Sequence, residues 1–95
     1  MLADEAGRVN KMHYVYCLRG IKRRKLYIGC TEDLKRRLHE HNTGRGGIYT
    51  SKNGPYELMY YEAYSSKIDA FKQEKFYKTG YGKEVLKGKL EETLK

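Results

Sequence analysis

The chain lacks long apolar runs, an export signal and any metal-type spacing of cysteines. No apolar stretch approaches the roughly 18 to 20 residues of a membrane-spanning helix, and the first residues show no basic segment followed by a hydrophobic one. We therefore expect a cytoplasmic protein that does not insert into a membrane. The two cysteines, Cys17 and Cys30, are expected as reduced thiols, with a disulfide on the predicted hairpin as the alternative.

Acidic residues are too scattered along the chain to predict a cluster of carboxylates. Nucleases that use several metal ions need several acids converging on one point. Most acids here fall in the first residues or at solvated helix positions, and Glu57 and Glu62 are predicted on opposite faces of one strand. The sequence thus argues against a two-metal site and leaves one-metal chemistry open.

Positive charge and tyrosine are what the chain has in excess. Its 95 residues carry 20 Lys and Arg against 12 Asp and Glu, a formal net charge of +8. Such a balance favours a polyanionic partner, nucleic acid first and an anionic membrane surface second. The length allows one small domain, which we place at residues 11–95 after a flexible leader at residues 1–10.

The apolar pattern predicts an α+β fold, with a small three-stranded antiparallel sheet flanked by about three helices. Strands are predicted at residues 13–19, 25–29 and 56–64. The first two form a hairpin in which we pair Tyr16 with Tyr27, and a glycine-rich loop occupies residues 44–55. Along the first strand, side chains alternate, so Tyr16 faces away from Val15 and Cys17.

The helices are predicted from capping residues and from the spacing of leucines. Their predicted extents are from an N-cap at Thr31 to Asn42, from a cap at Ser65 or Ser66 to residues 79–80, and over residues 82–94. Leu34 and Leu38 define the buried stripe of the first helix. Leu86, Leu90 and Leu94 define that of the third.

A candidate phosphate site follows from the hairpin and the first helix. Arg37 and His41 lie one turn apart beside the leucine stripe, close in sequence to Tyr27. An arginine fork matches a phosphate geometrically and can stabilise its transition state. A tyrosine hydroxyl, with a pKa near 10, needs neighbouring cations or a proton relay to act as a base at neutral pH.

A single acid on the second helix completes the candidate site. Glu74 shares an arc of about 120° with Ala70, Phe71 and Tyr77, given the helical repeat. A carboxylate on such an apolar face needs a partner. Glu74 therefore either forms an ion pair with a nearby Lys or Arg, or serves as a metal ligand or as a general acid or base.

Together these residues resemble the GIY-YIG nuclease domain, specifically its short stand-alone bacterial members. The resemblance runs over about residues 13–86. It rests on Tyr14-Val15-Tyr16, ten intervening residues, Tyr27-Ile28-Gly29, then Arg37, His41 and Ala70-Phe71-Lys72-Gln73-Glu74. The sequence departs from the family pattern at Tyr14, where the first triplet has glycine, and in having no Asn after Glu74.

The resemblance implies a metal-dependent endonuclease that hydrolyses phosphodiester bonds with one Mg²⁺ or Mn²⁺ ion. By this resemblance Tyr16 is the general base or the partner of the attacking water, and Tyr27 positions water or phosphate. Arg37 stabilises the pentavalent phosphate, and His41 supports Tyr16 or assists proton transfer. Glu74 holds the metal ion.

The implied partner is DNA, with a targeting protein as a further partner and no small-molecule cofactor. Contacts independent of base sequence are expected from basic residues of the hairpin and first helix, namely Lys22, Arg23, Arg24, Lys25, Lys35 and Arg36. Two other hypotheses stay open. One is a nucleic-acid-binding module of the same fold that does not cut or needs a partner to cut, and the other is an interaction domain whose charge is incidental.

Overall fold

The structure, a computed structural model, describes residues 10–43 and 54–95 of the chain. Across these two ranges its elements are β1 (His13–Gly20), β2 (Leu26–Thr31), α1 (Leu34–Asn42), β3 (Tyr56–Tyr64), α2 (Lys67–Tyr77) and α3 (Gly80–Lys89). The predicted α+β fold, with a three-stranded antiparallel sheet and three helices, is confirmed. Nearly all of the predicted leader at 1–10 and of the predicted loop at 44–55 lies outside the described residues.

The sheet has β1 in the centre, with β2 and β3 at its edges. Tyr16 pairs with Gly29, and Leu18 pairs with Tyr27, so the predicted pairing of Tyr16 with Tyr27 is wrong by two residues. The strands run closer to the turn than predicted, since the Gly20 amide donates to the Lys25 carbonyl at 2.9 Å. Because side chains alternate with a period of two, an even shift leaves both tyrosines on the predicted face.

One irregularity in β3 changes which side chains share a face. The pairing between β1 and β3 skips Met59, which makes it the extra residue of a β-bulge. An extra residue reverses the alternation of side chains beyond it. Glu57 pairs with Arg19 and Glu62 with Val15, two residues on the same face of β1. The prediction that Glu57 and Glu62 lie on opposite faces is therefore wrong.

The two faces of the sheet carry separate apolar clusters. On one face α1 contributes Leu34 and Leu38, as predicted, to a cluster built on Tyr16, Leu18 and Tyr56. The other face is covered by α2 and α3 and carries the larger cluster. Its buried residues are Val15, Cys17, Ile28, Ala70, Tyr77, Leu86 and Leu90. The sheet thus separates the side chains around α1 from those around α2 and α3.

The predicted N-cap is wrong at the first helix and correct at the second. Asp33, not Thr31, caps α1, and its side chain accepts from the Arg36 amide at 3.0 Å. Thr31 instead ends β2 and accepts from the Asp33 amide at 3.1 Å. Ser66 caps α2, one of the two predicted residues.

The third helix begins earlier and ends earlier than the predicted residues 82–94. Thr79 caps α3, because its hydroxyl accepts from the Gly82 amide at 2.9 Å. Leu90 is its C-cap, and the chain continues in turns to Leu94, which still packs on the core. The predicted leucine stripe is therefore correct, although it extends beyond the helix.

Two further observations bear on the class of protein. Cys17 is buried, Cys30 is half-buried, and both thiols are free. In the described ranges, 10–43 and 54–95, the helices are too short and too polar for any of them to span a membrane.

Candidate active site

The hairpin places the Tyr16 ring directly over Gly29. These two residues pair across β1 and β2, and a Cβ added at Gly29 would overlap the Tyr16 hydroxyl oxygen. Any larger residue at this position would have to displace the phenol. The glycine of the Tyr-Ile-Gly triplet therefore leaves the space that the Tyr16 ring occupies.

Helix α1 brings His41 onto the Tyr16 hydroxyl. The Tyr16 oxygen and His41 Nε2 are 2.9 Å apart, and the two residues are only 3% and 1% exposed. Which atom donates depends on the tautomer of the ring. A buried bond of this length fixes the phenol and couples its proton to the imidazole.

Three tyrosines surround the His41 ring. Its centroid lies 5.1 Å from that of Tyr27, 5.9 Å from that of Tyr16 and 6.1 Å from that of Tyr56, all in edge-on arrangements. The sequence predicts Tyr56 only as part of a strand, and nothing in its local pattern indicates that it belongs to this cluster. Its position is set by Asn42, whose side chain accepts from the Tyr56 amide at 2.7 Å and donates to its carbonyl at 2.9 Å.

Arg37 lies at the open side of this cluster. Its guanidinium is within hydrogen-bonding range of the Tyr16 hydroxyl. It also donates to Glu40 at 3.0 Å, and 31% of its side chain is exposed. A cation held half-buried beside a phenol can reach solvent and meet an incoming phosphate oxygen.

Burial and charge together set the protonation states of the cluster. Burial raises the pKa of Tyr16 to about 12, Arg37 opposes the rise, and Tyr27 and Glu74 add to it. Burial lowers the pKa of His41, and the Arg37 charge lowers it further. At neutral pH the site thus holds a protonated phenol and a neutral imidazole.

Glu74 lies on α2 and faces a different cavity from the buried tyrosines. Its side chain is 14% exposed and forms an ion pair with Lys78 at 3.0 Å, as one of the two sequence hypotheses expected. The cavity, of about 580 Å³, is also lined by Cys30, Thr31 and Arg36. The charge of Glu74 nevertheless contributes to the raised pKa of Tyr16, so these two side chains interact electrostatically.

The apolar face predicted around Glu74 is only partly buried. Ala70 and Tyr77 are buried as expected, at 0% and 1% exposure. Phe71 is 51% exposed and lines the Glu74 cavity, so the predicted apolar face is open to solvent at this residue.

The predicted nucleic-acid contacts fall into two separate groups. Arg36 lines the cavity of Glu74, and Lys35 is exposed beside it on α1. Lys22, Arg23, Arg24 and Lys25 are exposed at the turn, at the opposite end of β2. The structure therefore does not bring these six residues into one patch; the two groups lie at the two ends of β2.

Ligands for a metal ion are sparse around this site. The described residues contain no group of three or more His, Cys, Asp or Glu side chains close enough to hold an ion. Glu74 and the exposed Glu32 line the same cavity, and Glu32 is paired with Lys11 at 2.6 Å. An ion there would depend on Glu74 and on oxygens from water and substrate.

The family model for the GIY-YIG catalytic domain matches residues 12–88, and the chain therefore belongs to the GIY-YIG family. This confirms the resemblance drawn from the motifs. GIY-YIG domains are nuclease-type domains, and nucleic acid is the substrate class that this membership implies.

Similar proteins are bacterial and carry the name UPF0213 protein. The chain is 39% identical over 66 residues to UPF0213 protein OB0043 of Oceanobacillus iheyensis, covering 70% of this chain and 76% of that protein. It is 43% identical over 67 residues to a UPF0213 protein of Bacillus pumilus, covering 70% and 67% of the two chains. The solution NMR structure of UPF0213 protein BH0048 from Bacillus halodurans is similar at 36% identity and a TM-score of 0.49, over 79% of this chain and 81% of that chain.

Proposed function

We propose that this protein is a divalent-metal-dependent endonuclease that hydrolyses phosphodiester bonds in DNA with one Mg²⁺ or Mn²⁺ ion. The observation that carries the proposal is the cluster of Tyr16, His41 and Arg37 over Gly29. Two of these side chains are hydrogen-bonded in a buried position, and the third is a cation open to solvent. A purely structural core has no need of an arginine at such a point.

The donor set at Glu74 fits a magnesium-type ion. Mg²⁺ takes oxygen ligands, often only one or two carboxylates, and completes its shell with water and substrate phosphate. Glu74 supplies one such oxygen group, and the adjoining cavity of about 580 Å³ leaves room for waters and a phosphate. Its competing partner, Lys78, is 53% exposed and can swing into solvent. When bound, the ion would neutralise charge on the phosphate and lower the pKa of bound water.

Tyr16 and His41 act together as a proton relay in this proposal. A phenol with a pKa of about 12 does not accumulate as a phenolate at neutral pH. The Tyr16 oxygen can still take a proton from the attacking water if its own proton passes to His41 Nε2. Because burial keeps His41 neutral, that nitrogen has a lone pair in the tautomer protonated on Nδ1.

Arg37 and Tyr27 bind the reacting phosphate. The Arg37 guanidinium supplies fixed charge where the pentavalent phosphate develops negative charge, which is the largest single contribution in many enzymes of this kind. Tyr27 is half-buried beside His41 and positions the phosphate or the water.

Cleavage assays with matched variants of α1 test this proposal. Plasmid, single-stranded and branched DNA, with RNA for comparison, are incubated with the protein in Mg²⁺ or Mn²⁺. Arg37→Ala should lower the rate by roughly 10²- to 10³-fold, as expected for loss of a group that stabilises developing charge. Lys35→Ala, which removes the same charge from the exposed face of α1, should lower it by less than about fivefold. Equal effects of the two variants would contradict the assignment of Arg37.

A non-catalytic or partner-dependent binding module is the second candidate function. The ion pair between Glu74 and Lys78 favours it, because a carboxylate already neutralised is less available to a metal ion. Salt-dependent DNA binding without cleavage in any divalent ion would support this module. Restoration of cleavage by an added protein would identify the partner that it needs.

A further inference from the structure

The outer edge of β2 carries a row of basic clefts that begins at the candidate active site. The cleft nearest the site, about 250 Å³, is lined by Tyr27, Lys78 and Lys83. The next, about 410 Å³, is lined by Lys83 and Lys87 of α3 together with the basic residues of the turn. Lys83 borders both clefts, and so the row is continuous. We call it the β2-edge track.

The cleft at the turn concentrates positive charge. As far as the described residues show, it is lined by Leu26 and five cations, Arg23, Arg24, Lys25, Lys83 and Lys87. Of these, Lys87 forms an ion pair with Glu84 of its own helix at 3.7 Å. Like charges held in one cleft favour the binding of an anion between them.

Arg24 occupies a backbone conformation that its side chain does not favour. Its φ is 59°, in the left-handed region where glycine or asparagine is usual. Its amide bonds the Gly20 carbonyl at 2.8 Å, so the conformation belongs to the turn. An arginine kept where glycine would be less strained indicates that its side chain has a use in the cleft that it lines.

We propose that the β2-edge track carries the phosphate backbone of the substrate strand away from the scissile bond, with Lys83, Lys87 and Arg24 as its contacts. This inference rests on the proposed function, since it takes the cluster around Tyr16 as the point of cleavage. The two clefts touch Leu26, Tyr27 and Ile28 of β2, at the end of the strand next to the turn. Substrate is therefore needed on the hairpin side of the scissile bond as well as at Arg36.

The track differs from the contacts expected from sequence because two of its three proposed contacts come from α3. Lys83 and Lys87 are one helical turn apart on the side of α3 that faces the hairpin turn. Contacts to phosphates from both elements fix the path of the strand without reading its sequence. Edge strands are also protected from pairing with other chains by lysines, and this is the competing explanation of the same charges.

Salt dependence of DNA binding measures the contacts directly. Binding is followed by fluorescence anisotropy in EDTA, so that cleavage plays no part, for the double variant Lys83→Ala with Lys87→Ala. Each lost phosphate contact lowers the slope of log Kd against log salt by about 0.9 for duplex and 0.7 for single strands. We expect the slope to fall by about 1.4 to 1.8. The control double variant, Lys72→Ala with Lys95→Ala, removes the same charge from exposed positions outside the track and should change the slope by less than about 0.3.

Two results would contradict the proposal that the β2-edge track binds the phosphate backbone. Equal slopes for the two double variants would mean that only net charge matters. Unchanged DNA binding by the Lys83 and Lys87 variant, together with new self-association in solution, would assign these lysines to edge protection. If the wild type does not cleave DNA, but the two double variants still differ in the slope of log Kd against log salt, the proposed function is rejected. The track would then remain as a DNA-binding surface.

Arg24→Gly separates binding from stability at the turn. Glycine relieves the positive φ, so the Tm should stay the same or rise. The slope of DNA binding should nevertheless fall by about 0.7 to 0.9. A raised Tm with an unchanged slope would remove Arg24 from the track.

Discussion

Glu62 and Glu74 are equally exposed, at 14% of each side chain, yet their surroundings are opposite. Glu62 accepts hydrogen bonds from a ring of donors in the core beneath α2 and α3, namely Tyr60, Tyr64, Gln73, Tyr77 and Lys89. Within the described part of the chain, the Glu74 carboxylate has one ion-pair partner, the exposed Lys78. Exposure alone therefore does not distinguish a structural acid from a site acid.

The difference lies in how many lone pairs of each carboxylate are already used. Burial alone would raise the pKa of Glu62, but hydrogen bonds from Tyr64, Tyr77 and Tyr60 outweigh it and lower the pKa to about 2. A carboxylate with about four acceptor positions and five donors has no capacity for a metal ion. Glu74 keeps that capacity and borders a cavity with room for ligands. The saturated acid stabilises the fold, and the unsaturated one is the candidate ligand.

The largest expected effect is the loss of cleavage in Glu74→Gln, with Glu62→Gln as its matched control. Both changes remove one negative charge and keep the side-chain shape. If Glu74 anchors the metal ion, its variant should lose roughly 10³-fold in rate, equivalent to about 4 kcal/mol. Glu62→Gln should retain the wild-type rate within about threefold below its Tm. Single-turnover cleavage at saturating Mn²⁺ measures both, and a larger loss in Glu62→Gln would reverse the roles assigned to the two acids.

The second expected effect is on the free energy of unfolding. Here Glu62→Gln should have the larger effect and Glu74→Gln the smaller one, the opposite of their effects on the cleavage rate. Glu62→Gln should lower the free energy of unfolding by about 3 kcal/mol, since it breaks a half-buried network of several hydrogen bonds to one charge. Glu74→Gln should change it by less than about 1 kcal/mol, the usual value of an exposed ion pair. Urea unfolding at neutral pH gives both values.

Acid titration sharpens the same comparison. The pKa of Glu62 is lowered from 4.5 to about 2 in the folded state, so its contribution is complete above pH 4.5. It should be lost as the pH falls from 4.5 towards 2, because the unfolded chain binds the proton first. The stability difference between wild type and Glu62→Gln should therefore shrink over this window. A difference that stays constant down to pH 2 would show that the ionised carboxylate is not what stabilises the fold.

Gly29→Ala is expected to have a smaller effect on rate than the loss of Glu74. A methyl group at this position meets the end of the Tyr16 side chain and not the backbone of a neighbouring strand. The fold should persist with a lowered Tm, because the displaced phenol loses its buried hydrogen bond to His41. Displacement of the Tyr16 hydroxyl from His41 should lower the cleavage rate by roughly 10²-fold. An unchanged rate would mean that the position of the Tyr16 hydroxyl does not matter for cleavage.

Sequence reasoning recovered the elements of this fold because their signals are local. The alternation in β1, the leucines of α1 and the cap at Ser66 depend on neighbours within a few residues, and they were correct. The bulge at Met59 has no local signal, and without it the shared face of Glu57 and Glu62 was missed. The register of β1 against β2 was missed for the same reason, since the turn at Arg24 adopts a positive φ without a glycine.

The candidate site was recovered in part. The spacing of Tyr16, Arg37 and His41 carried enough information to bring those residues together, because they lie on adjacent elements of one hairpin and one helix. The group of tyrosines around His41 also includes Tyr56, which lies on a strand distant in sequence and is held in place by its hydrogen bond to Asn42. Such long-range contacts depend on tertiary packing, which a pattern of neighbours does not encode.

The smallest expected effect concerns the partner of Glu74. Lys78 is 53% exposed, so its ion pair contributes at most about 1 kcal/mol. Lys78→Met keeps the apolar stem and removes the charge that competes with a metal ion for the carboxylate. Mn²⁺ should then bind a few-fold more tightly in the absence of DNA, as titration calorimetry would show. The same change in Lys72, exposed on the same helix, should leave the Mn²⁺ affinity unchanged. Weaker Mn²⁺ binding by the Lys78 variant would mean that Glu74 is held in place by the lysine, and that its free lone pairs are not the feature that separates it from Glu62.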